Sequence, residues 1–357
     1  MRCSVAIFAV LISSSLYGSP VQRSLHRDAT SKGPLPVLRT GKWGYIDLSG
    51  KSVIPPLFEV ADCFYESRAA VRLNGKWGFI DPTGKLVISP EFTSTSEFSD
   101  GLAAVFIDAP TSQGRVYGYV DQTGQMAIKC PGACYFEGMM GEAIEVYWDA
   151  AGKFVDKWGY FDKTGKLAIP GIFHSGGSQF SEGLAAVQPY GTQKMGFIDK
   201  SGAFVIRPQF DRAEAFSEGL AAVRIGDFWG FVDRLGKLAI EPQFESVGSF
   251  SDGYATFYFR GKTGYIDQKG RIVIPPRFLE TAPFSEGLAA VCGEDIKTGY
   301  IDKSGKFAVP ASFSGGVLVA GPFSEGIALV QLETGAVYID RTGKVIARVS
   351  DASSSQR

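Results

Sequence analysis

Apolar and polar positions alternate in short bursts along this chain, and the bursts return in a fixed order. The clearest instance is Gly75-Lys76-Trp77-Gly78-Phe79-Ile80-Asp81-Pro82-Thr83-Gly84-Lys85-Leu86-Val87-Ile88. Two apolar runs flank a polar Asp-x-x-Gly, which predicts a β-hairpin. A third run, Leu102-Ala103-Ala104-Val105, is echoed at Leu184–Val187, Leu220–Val223 and Leu288–Val291. Each unit therefore predicts three strands: the small-sided Leu-Ala-Ala-Val strand, the Trp-Gly strand, and a Leu-Val-Ile strand closed by proline. Prolines 55, 90, 170, 208, 242, 275 and 310 mark that third position. A crossing segment ending in Phe-Ser-(Glu/Asp)-Gly, as at Phe98–Gly101 and Phe216–Gly219, leads into the next unit.

The hairpin recurs nine times. Trp43-Gly44-Tyr45-Ile46-Asp47 is the first copy, and Val337-Tyr338-Ile339-Asp340 is a last copy without the glycine. The motif glycines 44, 78, 118, 159, 196, 230, 264 and 299 are separated by 34, 40, 41, 37, 34, 34 and 35 residues. A near-constant period in this range is the signature of a repeat architecture, in which each unit buries its apolar face only against its neighbours. The predicted fold is all-β, with nine tandem three-stranded antiparallel meanders of about 35 residues. They form either a propeller-like ring or an open superhelical array. The Ala-Ala pair suits an inner position where strands crowd, as in a propeller blade.

Two motif positions invite functional readings. The aspartate of Asp-x-x-Gly can accept hydrogen bonds from the turn's own amides, and its glycine can take positive φ. The turn alone accounts for this spacing, so catalytic or metal-binding carboxylates are not required. A tryptophan beside a glycine suits packing between units. It could also form a stacking platform for sugars, but Tyr117, Met195, Thr263 and Thr298 replace it in other units. The packing reading predicts buried Trp43, Trp77, Trp158 and Trp229; the platform reading predicts that they are exposed along one groove.

Composition narrows the chemistry. The 357 residues carry a net charge of −1 and only two histidines, His26 and His174. This gives no electrostatic case for nucleic acid and removes most His-based catalysis and metal binding. No nucleophile elbow, zincin, phosphate loop or dinucleotide fingerprint occurs. No catalytic residue, metal or cofactor is predicted, and His174 is read as a turn residue. Residues 1–18, with a cationic start and a brief apolar run, read as a secretory signal peptide. Residues 19–34 read as a flexible leader, 35–349 as the repeats and 350–357 as a disordered tail. No transmembrane segment is expected after signal cleavage. Cys130 and Cys134 could close a small disulfide loop in an exported protein. Cys63 and Cys292 are expected to be buried free thiols.

Lys-Trp-Gly-(Tyr/Phe)-Ile-Asp, Thr/Ser-Gly-Lys, Val-Ile-x-Pro-x-Phe and Phe-Ser-Glu-Gly-Leu-Ala-Ala-Val together resemble the WG-containing repeat family of mostly bacterial proteins. The resemblance spans roughly 35–349, departs from the pattern around Cys130–Gly141, and implies an exported or cell-associated β-repeat protein. It brings no catalytic residues.

One irregularity points to a site. From the end of strand one to the motif glycine is seven residues at Val71–Gly78 and Val223–Gly230. It is thirteen at Val105–Gly118 and Val146–Gly159, and nine at Val187–Gly196. Three consecutive units thus extend their loops on one edge, carrying Phe106, Asp108, Arg115, Tyr147, Trp148, Asp149, Lys153, Gln188 and Tyr190. Insertions on one face of a repeat array are often the binding face. The expected function is an exported, non-enzymatic scaffold that uses this edge to bind a protein, peptide or glycan at the bacterial envelope. The alternative is a carbohydrate-binding or carbohydrate-active protein using exposed Trp and Asp on the repeat face.

Overall fold

In a computed structural model, the protein is a closed ring of nine antiparallel sheets. The structure describes residues 30–108, 115–129, 143–147, 158–162, 164, 166–174, 178–314 and 319–350. The expected signal peptide, most of the expected leader, and Cys130 and Cys134 lie outside the described residues. Those described contain no helix. The sheets, taken as blades 1–9 in chain order, cover 35–58, 60–92, 94–129, 143–173, 184–210, 212–244, 246–278, 280–313 and 327–348.

Each blade is built around the predicted meander. In blade 2, strand one (Arg68–Leu73) pairs with strand two (Lys76–Ile80), which pairs with strand three (Leu86–Phe92). Five blades add a fourth strand drawn from the crossing segment, such as Ser94–Thr95 against Val105 and Phe106. The sequence placed strand one innermost. The structure corrects this, because the crossing segment lies inside it. Segments of blades 1, 2, 3, 5 and 6 line one shared cavity, which places them at the ring axis. A ladder of two residue pairs is too short to leave a periodic signal.

Strand two needs its glycine because strand three bulges onto it. The register shifts between Trp77 and Phe79, and a Cβ on Gly78 would sit 2.5 Å from the Ile88 carbonyl oxygen and 2.8 Å from the Pro90 nitrogen. Blade 9 has Val337 at this position, no proline in its third strand and no shift there. Bulge, glycine and proline are lost together.

The Asp-x-x-Gly turn forms as the sequence predicts. Asp81 Oδ1 accepts from the Thr83 amide (2.9 Å), the Thr83 hydroxyl (2.5 Å) and the Lys85 amide (3.1 Å). Gly84 follows at φ 86°. The same bonds recur at Asp47, Asp121, Asp162, Asp199, Asp302 and Asp340.

Neighbouring blades interlock through aromatic pairs. Phe79 of blade 2 meets Phe98 of the following Phe-Ser-Asp-Gly at 4.7 Å, and Phe197–Phe216, Phe231–Phe250, Tyr265–Phe284 and Tyr300–Phe323 repeat the contact. The hydroxyls of Tyr45, Tyr160, Tyr265 and Tyr300 on strand two donate to the next crossing segment, as Tyr300 does to the Gly321 carbonyl at 2.7 Å.

The Phe-Ser-(Glu/Asp)-Gly loops form a second set of links at the axis. Glu182, Glu218, Asp252, Glu286 and Glu325 hold φ of 52–53°, a left-handed conformation that costs a non-glycine residue about 1 kcal/mol. That backbone aims each carboxylate at the next blade. Glu182 accepts from the Gly219 amide, Glu218 from Gly253, Asp252 from Gly287, and Glu286 from Gly326. A side chain from the next blade's Asp-x-x-Gly turn joins most of them: Arg234, Gln268, Lys303 or Arg341.

The same contacts close the ring, resolving the choice between ring and open array. Glu325 of blade 9 accepts from the Gly33 amide (2.8 Å), Ser324 donates to the Ser31 carbonyl (2.8 Å), and Tyr338 donates to the Pro36 carbonyl (3.0 Å). The Val349 carbonyl accepts from the Leu38 amide at 2.6 Å, and Ser350 bridges to Leu38, where Ser94 meets Phe106 in blade 3. Residues 30–34 and 350, placed in leader and tail by the sequence, therefore take part in the ring.

Candidate functional site

Of the nine edge residues, the structure places six on a strand or beside one. Phe106, Asp108, Arg115 and Tyr147, read as loop, belong to strands. Asp108 pairs with Arg115, and Tyr147 with Trp158, so the extra length first continues the ladder. The side chains of Asp108, Arg115 and Tyr147, and the whole of Trp148, Asp149 and Lys153, lie outside the described residues. Phe106 is half-buried, and its carbonyl accepts from the Thr93 amide and hydroxyl.

Gln188 and Tyr190 form the best-defined part of this edge. The nine-residue connection lets blade 5 reach back to the end of blade 4. The His174 amide donates to Gln188, Phe173 bridges to Pro189, and the Tyr190 amide donates to Ile172. The turn is locked by Gln188 Nε2 on the Thr192 carbonyl (2.6 Å) and the Thr192 hydroxyl on the Pro189 carbonyl (3.0 Å). Tyr190 is 59% exposed and stacks on His174 with centroids 6.0 Å apart and planes at 22°. Ile172 beside it is 51% exposed. Sequence reasoning found Tyr190 but missed Ile172 and read His174 only as a turn. The partners come from another blade, which loop length alone cannot indicate.

The remaining candidate positions are structural in character. Trp43 and Trp77 are 3% and 7% exposed, Trp229 is half-buried, and the Trp158 side chain lies outside the described residues. Turn aspartates are saturated by their own turns. The Thr83 hydroxyl, followed by the Lys85 and Thr83 amides, holds the exposed Asp81 carboxyl below its ordinary value. Cys63 and Cys292 are buried and free. Among the described residues, no three His, Cys, Asp or Glu side chains gather as metal ligands would.

A second feature lies at the axis, at the opposite end of strand one from Tyr190. A cavity of 610 Å³ is walled by Tyr65, Phe98 and Phe180 and rimmed by the carboxylates of Glu66, Glu97, Asp100 and Glu182. Thr30 also lines it, and among the described residues no Lys or Arg does.

The WG containing repeat profile matches residues 43–77, 77–109, 158–188, 195–227, 229–262, 264–293 and 299–333, more than half of the chain. No curated protein sequence matches. Among solved structures, a eukaryotic initiation factor is similar at TM-score 0.58 and 14% identity, over 88% of this chain and 95% of its own. BamB from Moraxella catarrhalis (TM-score 0.43, 9% identity, 79% of this chain and 93% of its own) is more distant. AztD from Citrobacter koseri stands at 0.42, with 13% identity over 79% and 91%. At these identities only the first likeness bears on the fold, and it bears on nothing else.

Proposed function

Because this chain belongs to the WG containing repeat family, we propose that it is an exported, non-enzymatic β-propeller scaffold binding a protein, peptide or glycan at the bacterial envelope. The edge of blades 4 and 5 is where it binds. The observation that carries this reading is the exposed Tyr190 ring, held on His174 beside Ile172 by a hydrogen-bonded turn. A fixed aromatic with an apolar neighbour presents contact area at little ordering cost, which suits a recognition hot spot. Buried Trp43 and Trp77 withdraw two of the four rings that the carbohydrate platform on the repeat face would use, which favours the edge.

The test uses the mature chain on glycan and peptide arrays. Beside it run Tyr190→Ala and a variant with 106–115 and 147–157 shortened to the seven-residue connection. Binding that weakens at least tenfold in Tyr190→Ala, about 1.4 kcal/mol, supports the reading. Binding indifferent to both changes, or no binding on either array, refutes it. Export is tested by following the chain in periplasmic and culture fractions with and without residues 1–18; equal distribution removes the envelope role.

A further inference from the structure

The edge that carries Tyr190 continues past blade 5. At the next three connections between strands one and two, Ile225 and Phe228 of blade 6, Phe259 of blade 7 and Ile296 of blade 8 are 39–51% exposed. At the described connections of blades 1, 2 and 9 no large apolar side chain is exposed. Leu73 and Leu332 stand at the register position of Ile225 and Phe259, yet they pack against the core. The fold therefore does not require such side chains to face outward. Among the described connections their exposure is confined to four consecutive blades, and exposed apolar residues that run together mark contact sites.

The charges of this arc are matched within it. Lys194 of blade 5 meets Asp211 at 2.6 Å, and the other oxygen of Asp211 accepts from the Gly226 amide of blade 6 at 2.8 Å. Lys262 of blade 7 meets Glu294 of blade 8 at 2.6 Å. Both links cross a blade boundary and hold neighbouring connections side by side. Arg224 meets Asp227 at 3.5 Å, and the Arg260 guanidinium lies 5.0 Å from the centroid of the Phe259 ring. The occupant that complements this surface is apolar and uncharged. A glycan is disfavoured, because the Ile and Phe side chains offer it no hydrogen bond.

Spacing narrows the occupant further. Sheets packed face to face lie about 10 Å apart, so successive blades present their tips at about that interval. A polyproline II chain turns once in three residues and rises about 3.1 Å per residue, so every third side chain returns to the same side after about 9 Å. Aromatic-lined surfaces take such chains at low ordering cost, because the chain is already extended.

We propose that the arc from Tyr190 to Ile296 binds an uncharged, extended segment of a partner protein in the polyproline II conformation. Its apolar side chains fall at every third position, one for each of blades 5 to 8. This inference rests on the reading of the Tyr190 edge as the binding face and specifies the chemistry of its partner.

The probe is an array of acetylated, uncharged dodecapeptides with Leu, Phe or Pro at every second, third or fourth residue among Ser and Gln. The mature chain should bind the every-third series at least tenfold more tightly than the other two. A tenfold rise in ionic strength should change that binding less than twofold, since no unmatched charge takes part. Phe228→Ser and Phe259→Ser should each weaken it about tenfold at an unchanged melting temperature. Leu57→Ser, at an exposed apolar position on strand three of blade 1, should leave it intact. Binding without preference for the every-third series overturns the proposal. So does binding that Tyr190→Ala weakens while Phe228→Ser and Phe259→Ser do not, an outcome that leaves the Tyr190 edge standing as the binding face. Capture of a glycan in place of every peptide also overturns it, and loss of that capture in Tyr190→Ala would again preserve the edge. No binding to peptides or glycans overturns both readings.

Discussion

Gly78→Ala tests why the repeat carries Trp-Gly at all. The added methyl would lie 2.5 Å from the Ile88 oxygen, 2.8 Å from the Pro90 nitrogen and 2.9 Å from the Ser89 carbonyl carbon. All three are backbone atoms of one bulge, so no rotamer change relieves the contact. Either strand three lifts off strand two or the bulge flattens, and both break the pairing of Trp77 with Phe92. Overpacking of this kind costs ~1–3 kcal/mol, and a backbone obstacle argues for the upper end. With a urea slope of ~3 kcal/mol/M, the midpoint should fall by about 1 M. Hydrogen exchange should speed up first at 76–80 and 86–92, because each blade contacts only its neighbours. The reverse change in blade 9, Val337→Gly, should gain nothing and cost about 3 kcal/mol, since no bulge approaches there and the change empties a fully buried core position. An unchanged midpoint in Gly78→Ala would show that the close approach is not what requires glycine.

Phe284→Ala removes a fully buried ring that meets Tyr265 at 4.7 Å and Tyr254 at 5.4 Å; chemical denaturation should report a loss of ~3–5 kcal/mol, and a loss below 1 kcal/mol would sink the interblade role. Gly84→Val places a β-branched residue at φ 86° with its Cβ 3.0 Å from Ile54 of the preceding blade, so its melting temperature should fall well below that of Glu91→Val at an exposed strand position; equal values would refute the turn assignment. The turn aspartates bind their protons less readily when folded than when unfolded. Their stabilisation is therefore complete above the ordinary aspartate value of 3.8 and is lost as pH falls below it, so the melting temperature should drop through that region and a Thr83→Ala variant should drop less; a flat profile down to pH 2 would contradict this.

The parts of the fold legible in the sequence are those set by contacts within a few residues. Asp81, Thr83 and Gly84 make a self-contained turn, so their spacing declared it. Trp-Gly declared the position of strand two but not the reason for its glycine. That reason spans two strands. It was nonetheless hinted at in the chain, because seven of the eight units with the motif glycine also carry the third-strand proline, and the last unit lacks both. The inner strand was not legible, since in four of the five blades that have it, it pairs over only two residues and reads as a connection. At the candidate edge, loop length pointed to Tyr190. It could not show that Phe106 and Tyr147 stay in strands, nor that His174 and Ile172 would arrive from the preceding blade.

Ring closure lay further out of reach, yet its physical basis is simple. The seam between blades 9 and 1 repeats the internal interfaces with altered residues. Gly50 packs against Ile346 as Gly84 packs against Ile54, and Tyr338 reaches Pro36 as Tyr300 reaches Gly321. Thr30-Ser31-Lys32-Gly33 stands where other blades have Phe-Ser-Glu-Gly, so the seam lacks the aromatic pair. Leu48 occupies the turn position from which Arg234, Lys303 or Arg341 joins the acid links elsewhere. Two contacts are thus weakened at one interface of nine, and the C-terminal Val349 and Ser350 add backbone bonds to Leu38 in their place. Against the described interfaces of blades 5 to 9, where both the aromatic pair and the acid link are present, this exchange makes the seam the expected point of opening, beside Thr30.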